Sequence, residues 1–203
     1  MGLYSKWILP RLLHTAMSQR NLLPYRQRLT AMAEGRVLEI GIGSGLNLPF
    51  YTDKVERVIG VEPSRELLAM ARKAADTAAY PVELLPASAE AIALDDCSVD
   101  TVVTAWTLCT VPHAEAALRE MRRVLTPNGK LLFVEHGSAP DPGVREWQDR
   151  LTPLWKCIAG GCHLNRNPQE QLRSAGFSID QLATGYIPGP RPFTFMYEGQ
   201  ARK

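Results

Sequence analysis

From Arg36 onward, short apolar runs alternate with stretches of helical period. Residues 37–40, 57–61, 82–85, 100–105 and 130–135 are apolar, or nearly so, at strand length. Between them, residues 64–75 place Leu67, Leu68, Ala71 and Ala75 on one face, behind Ser64 as a cap. Residues 114–124 predict a helix closed by Pro127, Asn128 and Gly129, and residues 47–51 a short helix or turn. Strands that are apolar throughout and alternate with helices predict a parallel sheet covered on both faces. The tail differs. Residues 177–182 and 193–201 are extended, and the link at 185–190 is too short for a crossover helix. This pair is therefore expected to be an antiparallel hairpin at one sheet edge. Residues 1–34 read as helical, with Trp7, Leu9, Leu12, Leu13 and Met17 near helical spacing and interruptions at Pro10 and Pro24. The expectation is an α/β, doubly wound domain over 35–203, preceded by an N-terminal helical lid segment over 1–34.

Composition narrows this picture without changing it. A chain of 203 residues, 45% hydrophobic, supports one domain with a full core. A formal net charge of +2 is too small to argue for nucleic acid as a partner, and no basic stripe interleaved with aromatics occurs. The apolar runs are too short for an integral membrane span, which leaves peripheral contact open. The start carries Lys6, Arg11 and His14 with no small-residue cleavage site, so a signal peptide is not expected. Cys97, Cys109, Cys157 and Cys162 show no CxxC spacing, which predicts reduced thiols in a cytoplasmic protein. No metal is expected, because Cys157, Cys162 and His163 are too few for a zinc framework.

Candidate chemistry begins at Val37–Tyr51, VLEIGIGSGLNLPFY. Gly41, Gly43 and Gly45 follow the first strand, where glycine lets a ligand touch the main chain. In an open parallel sheet that edge is where ligands bind. The third glycine comes one residue too early for the dinucleotide pattern GxGxxG. The carboxylate of Glu39 would repel a phosphate, yet it suits an ammonium or sulfonium ligand. Glu62, ending the second strand, can accept hydrogen bonds from both ribose hydroxyls. The pair points to a nucleoside that carries positive charge.

These residues resemble the class I S-adenosylmethionine-dependent methyltransferases from about Arg36 to the end of the chain. LEIGIGSG resembles their first motif, and VIGVEPS resembles the second. PASAEAIALDDCSVDTVV and ALREMRRVLTPNGKLLFVEH resemble the regions around the fourth and fifth strands. The resemblance implies a seven-stranded, Rossmann-like sheet and S-adenosyl-L-methionine as cofactor. It assigns cofactor binding to Glu39, Gly41, Gly43, Ser44, Gly45, Asn47, Glu62, Pro63, Ser88, Ala89, Glu90, Thr104 and Ala105. Ser88 stands where several members have an aspartate that holds the adenine amino group.

TLCTV at 107–111, EHG at 135–137, and Trp155 followed by GGCHLNR at 160–166 are similar to the small-molecule thiol methyltransferases of the methyltransferase-like seven group and its bacterial relatives. Enzymes acting on carbon or nitrogen of quinols, phospholipids or amines form a wider circle, and a catalytically silent cofactor binder is a further alternative. A thiol with pKa near 8.5 is partly ionised at neutral pH and needs an apolar slot more than a strong base. Slot candidates are Trp7, Leu12, His14, Trp106, Trp147 and Trp155. His136, after the fifth strand, is the candidate catalytic base. His113 is expected to cap a helix or lie at the surface, and Cys109 to pack.

Overall fold

The computed structural model of the chain describes residues 4–203, so residues 1–3 of the predicted lid lie outside the described residues. After a wide helical turn at Tyr4–Ile8, the elements are α1 (Leu9–Met17), α2 (Leu23–Ala31), β1 (Gly35–Ile40), β2 (Val55–Val61) and α3 (Arg65–Ala75). They continue with β3 (Val82–Leu85), β4 (Val99–Ala105), α4 (Ala114–Val124), β5 (Leu125–His136) and α5 (Pro142–Ile158). The chain closes with α6 (Pro168–Ser174), β6 (Ser178–Tyr186) and β7 (Phe195–Arg202). Among the described residues, no helix is long and apolar enough to cross a membrane.

The seven strands form one sheet in the order β3-β2-β1-β4-β5-β7-β6. The first five are parallel; β7 runs antiparallel to both β5 and β6. The expected hairpin is therefore present, with its second strand inserted against β5. The chain leaves β1 toward β2 on one side and returns at β4 on the other. That reversal opens a crevice at the carboxyl ends of β1 and β4.

Packing follows the pattern read from the sequence. Residues Val37–Ile40 of β1 and Val102 and Val103 of β4 are buried between two layers. α4 buries Ala114, Ala117, Leu118, Met121 and Val124, a helical stripe. Each large side chain of that kind stabilises the fold by about 2 kcal/mol. Ser64 caps α3, accepting from the Leu67 N–H at 3.3 Å.

Three features depart from expectation. Pro10 and Pro24 do not interrupt helices; each lies in the first turn of one, where its missing N–H has no partner to lose. α2 is part of the body, because Leu29 and Thr30 are fully buried. And α5 and α6 fill a stretch in which the pattern predicts no element. α5 was hidden because its buried residues are polar: Gln148 and Thr152. The Gln148 amide accepts from Ala139 N–H at 2.9 Å and donates to Gly137 and Pro192 carbonyls at 3.0 Å.

Candidate active site

Gly41 and Gly43 have φ of +66° and +56°, a left-handed backbone that favours glycine. A Cβ on Gly41 would lie 2.4 Å from Thr107 Oγ1, so the exit of β1 is packed directly on the loop after β4. A Cβ on Gly43 would meet nothing nearer than the Gly41 carbonyl at 3.8 Å. The main chain at Gly43 thus faces open space, as a ligand resting on it requires.

Glu62 directly follows β2, beside this opening. Its Oε2 accepts from the Gly43 N–H at 3.2 Å and its Oε1 from the Ser64 N–H at 2.9 Å. Burial raises its pKa, and the two backbone donors oppose that rise. Each carboxylate oxygen keeps a further lone pair. A bare Gly43 backbone and an anchored carboxylate fit an S-adenosylmethionine ribose.

Glu39 is placed differently from a free counter-charge. It is 2% exposed, and its oxygens accept from Asn47 Nδ2 at 2.7 Å and Tyr51 Oη at 2.8 Å. Asn47 Oδ1 in turn accepts from Arg26 Nη1 at 2.7 Å. The side chains of Glu39 and Asn47 therefore brace the glycine turn from within. Burial pushes the Glu39 carboxyl up to about 7, against the hydrogen bonds of Tyr51 and Asn47 and the charge of Arg26.

The remaining cofactor candidates fall at the ends of β2, β3 and β4. Ala89 is buried, whereas Pro63 and Ser88 are exposed. Ser88 Oγ accepts from the Glu90 N–H at 3.3 Å. The Glu90 carboxylate accepts from the His113 N–H at 2.8 Å, at the start of α4. The His113 side chain does not cap that helix and lies exposed, the second of the two placements expected for it. Ala105 is half-buried at the exit of β4. Thr104 needs correction as a side-chain contact: it is fully buried and donates to Glu135 Oε1 at 2.8 Å.

Glu135 was missed in the sequence, where it reads as a strand-end charge. Its Oε1 also accepts from the N–H groups of Thr107 and Leu108 at 3.0 and 3.1 Å. It thereby fixes the loop after β4. Burial pushes it up to about 7, although those donors and Thr104 pull the other way. Trp106 in that loop has φ of +53°, a strained backbone that costs about 1–3 kcal/mol. Its indole N–H points to Met196 Sδ at 3.4 Å, and the Arg26 guanidinium lies 4.8 Å over its ring.

The aromatic candidates do not converge. Trp106 is enclosed as described, and Trp155 packs on Phe193 with ring centroids 4.7 Å apart. Trp7 and Trp147 are about half exposed, each with a basic neighbour against the ring, Lys6 and Arg150. Leu12 is exposed as well. His14 does reach the glycine turn: Nδ1 lies 2.8 Å from Ser44 Oγ. Beside this contact α1, α2 and α3 enclose a mostly apolar cleft of about 490 Å³, lined in part by Met17, Leu23, Gly45, Phe50 and Met70. The cleft reaches the turn but not Glu62 or Ser88.

His136 lies at the end of β5, as expected, but with an unexpected partner. Its Nε2 is 3.0 Å from Cys162 Sγ, and its Nδ1 is shut off from solvent with no hydrogen-bond partner. Neither nitrogen is free for an acceptor in this arrangement. Burial, the largest influence, would lower the His136 pKa; the Cys162 sulfur, a backbone hydrogen bond and Glu135 together outweigh it and raise the imidazole above its ordinary value. Cys109 adds a second thiol to the group, its Sγ within 4.8 Å of both partners and donating to the Trp106 carbonyl at 3.6 Å. Cys162 is thus drawn away from Cys157, which is exposed. His163 instead packs on the Cys109 carbonyl. Cys109 and His136 are 27 positions apart, and no spacing rule would have paired them.

The chain matches the methyltransferase domain family over residues 38–133. It is 34% identical over 170 residues to the thiol S-methyltransferase TMT1B of Rattus norvegicus, covering 82% of this chain and 68% of that protein. It is 40% identical over 104 residues to a phosphatidylethanolamine N-methyltransferase of Cereibacter sphaeroides, covering 50% of this chain and 51% of that one. The solved structure of YcgJ from Bacillus subtilis superimposes with a TM-score of 0.66 at 19% identity, over 90% of this chain and 95% of that one.

Proposed function

Because this chain belongs to the S-adenosylmethionine-dependent methyltransferases, we propose that it methylates the sulfur of a small apolar thiol. When bound, the cofactor supplies an electrophilic methyl group on a sulfonium. Gly43 would lie against the nucleoside and Glu62 would hold its ribose. Gly41, Ser44, Gly45, Pro63, Ser88, Ala89, Glu90 and Ala105 would border it, and Glu39 with Asn47 would stiffen the turn beneath.

The observation that carries the thiol reading is the reach of the similarity. The alignment with the rat thiol enzyme spans 82% of the chain at 34% identity, against 50% for the phospholipid enzyme and 75% at 30% identity for a quinone C-methyltransferase of Syntrophotalea carbinolica. A span that long takes in acceptor-side residues as well as the cofactor motifs. The chemistry agrees. A thiol near pKa 8.5 ionises in part at neutral pH, so positioning suffices where an alcohol would need a strong base. With His136 paired to Cys162, reliance on the acceptor's own acidity is the simpler course. We assign Trp106 and Trp155 to the rim of the acceptor site and α1, through His14, to a lid. A cytoplasmic setting goes with four free cysteines.

A labelled-methyl screen across thiols, alcohols, phenols, amines and quinols tests the reading. Turnover of apolar thiols with none of the matching alcohols supports it. Turnover of amines or quinols alone overturns the acceptor and leaves the enzyme class standing.

A further inference from the structure

We propose that Cys109, His136 and Cys162 form a binding site for a soft divalent transition-metal ion, zinc foremost. The three residues come from separate elements: the loop after β4, the end of β5 and the turn after α5. Their ligand atoms all lie within 4.8 Å of one another. A tetrahedral zinc ion with two thiolates at about 2.3 Å and one imidazole at about 2.0–2.1 Å sets its ligand atoms roughly 3.5–3.8 Å apart. The cluster is therefore near ligand spacing before any ion enters; the His136–Cys162 pair, at 3.0 Å, has to open by about half an ångström.

The surroundings hold this geometry firmly. Arg166 Nη1 donates to the carbonyls of Leu108 and Val111 at 2.6 and 2.7 Å, on either side of Cys109. The His163 N–H donates to the Cys109 carbonyl at 2.8 Å, which clamps the turn bearing Cys162 onto the loop bearing Cys109. Gly161 in that turn has φ of +90°, and a Cβ there would lie 3.2 Å from the Thr110 carbonyl, so a larger residue would strain the clamp.

At the cluster itself, His136 Nδ1 is a buried polar atom with no hydrogen-bond partner. Cys109 and Cys162 are 4% and 8% exposed, so the thiols are shielded from casual oxidation. Two soft sulfurs and one imidazole favour zinc or cobalt over magnesium or calcium. On binding, each thiol that still carries a proton releases it to solvent, and no electron is transferred. Three protein ligands leave a fourth position for water or a small soft molecule. None of this depends on the identity of the methyl acceptor.

The test uses the reduced, full-length protein without cofactor or acceptor. Cobalt(II) is titrated in, and thiolate-to-cobalt charge transfer and the visible bands of tetrahedral cobalt are followed. One equivalent should bind, zinc should displace it, and Cys109→Ser and Cys162→Ser should each weaken zinc at least tenfold. Cys157→Ser should leave affinity unchanged. No charge-transfer band, or a band that survives the Cys109→Ser, Cys162→Ser double variant, overturns the site. If a variant fails to fold, X-ray absorption on the zinc-loaded wild type decides. Two sulfurs and at least one nitrogen around the ion support the assignment; a shell of oxygen and nitrogen only overturns it.

Discussion

Single residues carry the cofactor argument, and Glu62 is the sharpest case. It is anchored by two backbone donors and keeps lone pairs toward the opening beside Gly43. Glu62→Ala should weaken S-adenosylmethionine by about 1.5–3 kcal/mol, roughly 10- to 150-fold in Kd by calorimetry. An unchanged Kd would remove Glu62 from the ribose. Glu39 makes a different prediction, about stability. Its folded pKa of about 7 exceeds the ordinary 4.5. Below pH 4.5 both states hold the proton; between 4.5 and 7 only the native state does. Stability should therefore fall as pH rises through that window and level off above it. The groups facing Glu39 are Arg26, Asn47, Tyr51 and, at longer range, Tyr80. Glu135 titrates in the same window. Urea unfolding of the cofactor-free protein at pH 5 and pH 8 should show a loss on the order of 3 kcal/mol from Glu39, reduced in Glu39→Gln. Equal losses in both proteins would reject the assignment. Both acids could be picked out in the sequence, Glu39 as a counter-charge and Glu62 on the ribose, yet the bracing contacts of Glu39 could not be read there. Glu62 directly follows its strand and faces the ligand edge, whereas Glu39 meets Asn47 and Tyr51 only after the turn closes.

Elements were legible where burial is apolar and periodic. Val37–Ile40, the stripe of α4 and the closing hairpin all announce themselves in the hydrophobic pattern. α5 did not, because its interior contacts run through Gln148 and Thr152. The N-terminal helices show the same limit. One boundary at residue 34 was expected, but α2 buries Arg26, Leu29 and Thr30, while α1 buries Pro10 alone and touches the turn through His14. α1 is thus the part that can act as a lid. Deleting residues 1–18 should leave the fold and cofactor binding intact while methyl transfer falls at least tenfold. Calorimetry and a transfer assay on the same truncated protein check both halves. Full activity after the deletion would show that α1 only packs on the outside.

At the scale of the whole molecule, the sheet order places the β1–β4 crevice, and every cofactor candidate, at one edge. That part of the site follows from topology and could be read in the sequence before any coordinates. The cluster of Cys109, His136 and Cys162 could not, because its members come from a loop, a strand end and a turn that only the folded chain brings together. The central claim is that sulfur, not oxygen, takes the methyl group. An apolar molecule carrying both a thiol and a hydroxyl, incubated with enzyme and labelled S-adenosylmethionine, puts both atoms before one site at equal concentration. Mass spectrometry of the product should show the S-methyl ether with no O-methyl ether, because the thiol reaches its nucleophilic form at neutral pH and the hydroxyl does not. Methylation at oxygen, or no product from this molecule under conditions where an amine or quinol is turned over, would contradict the account.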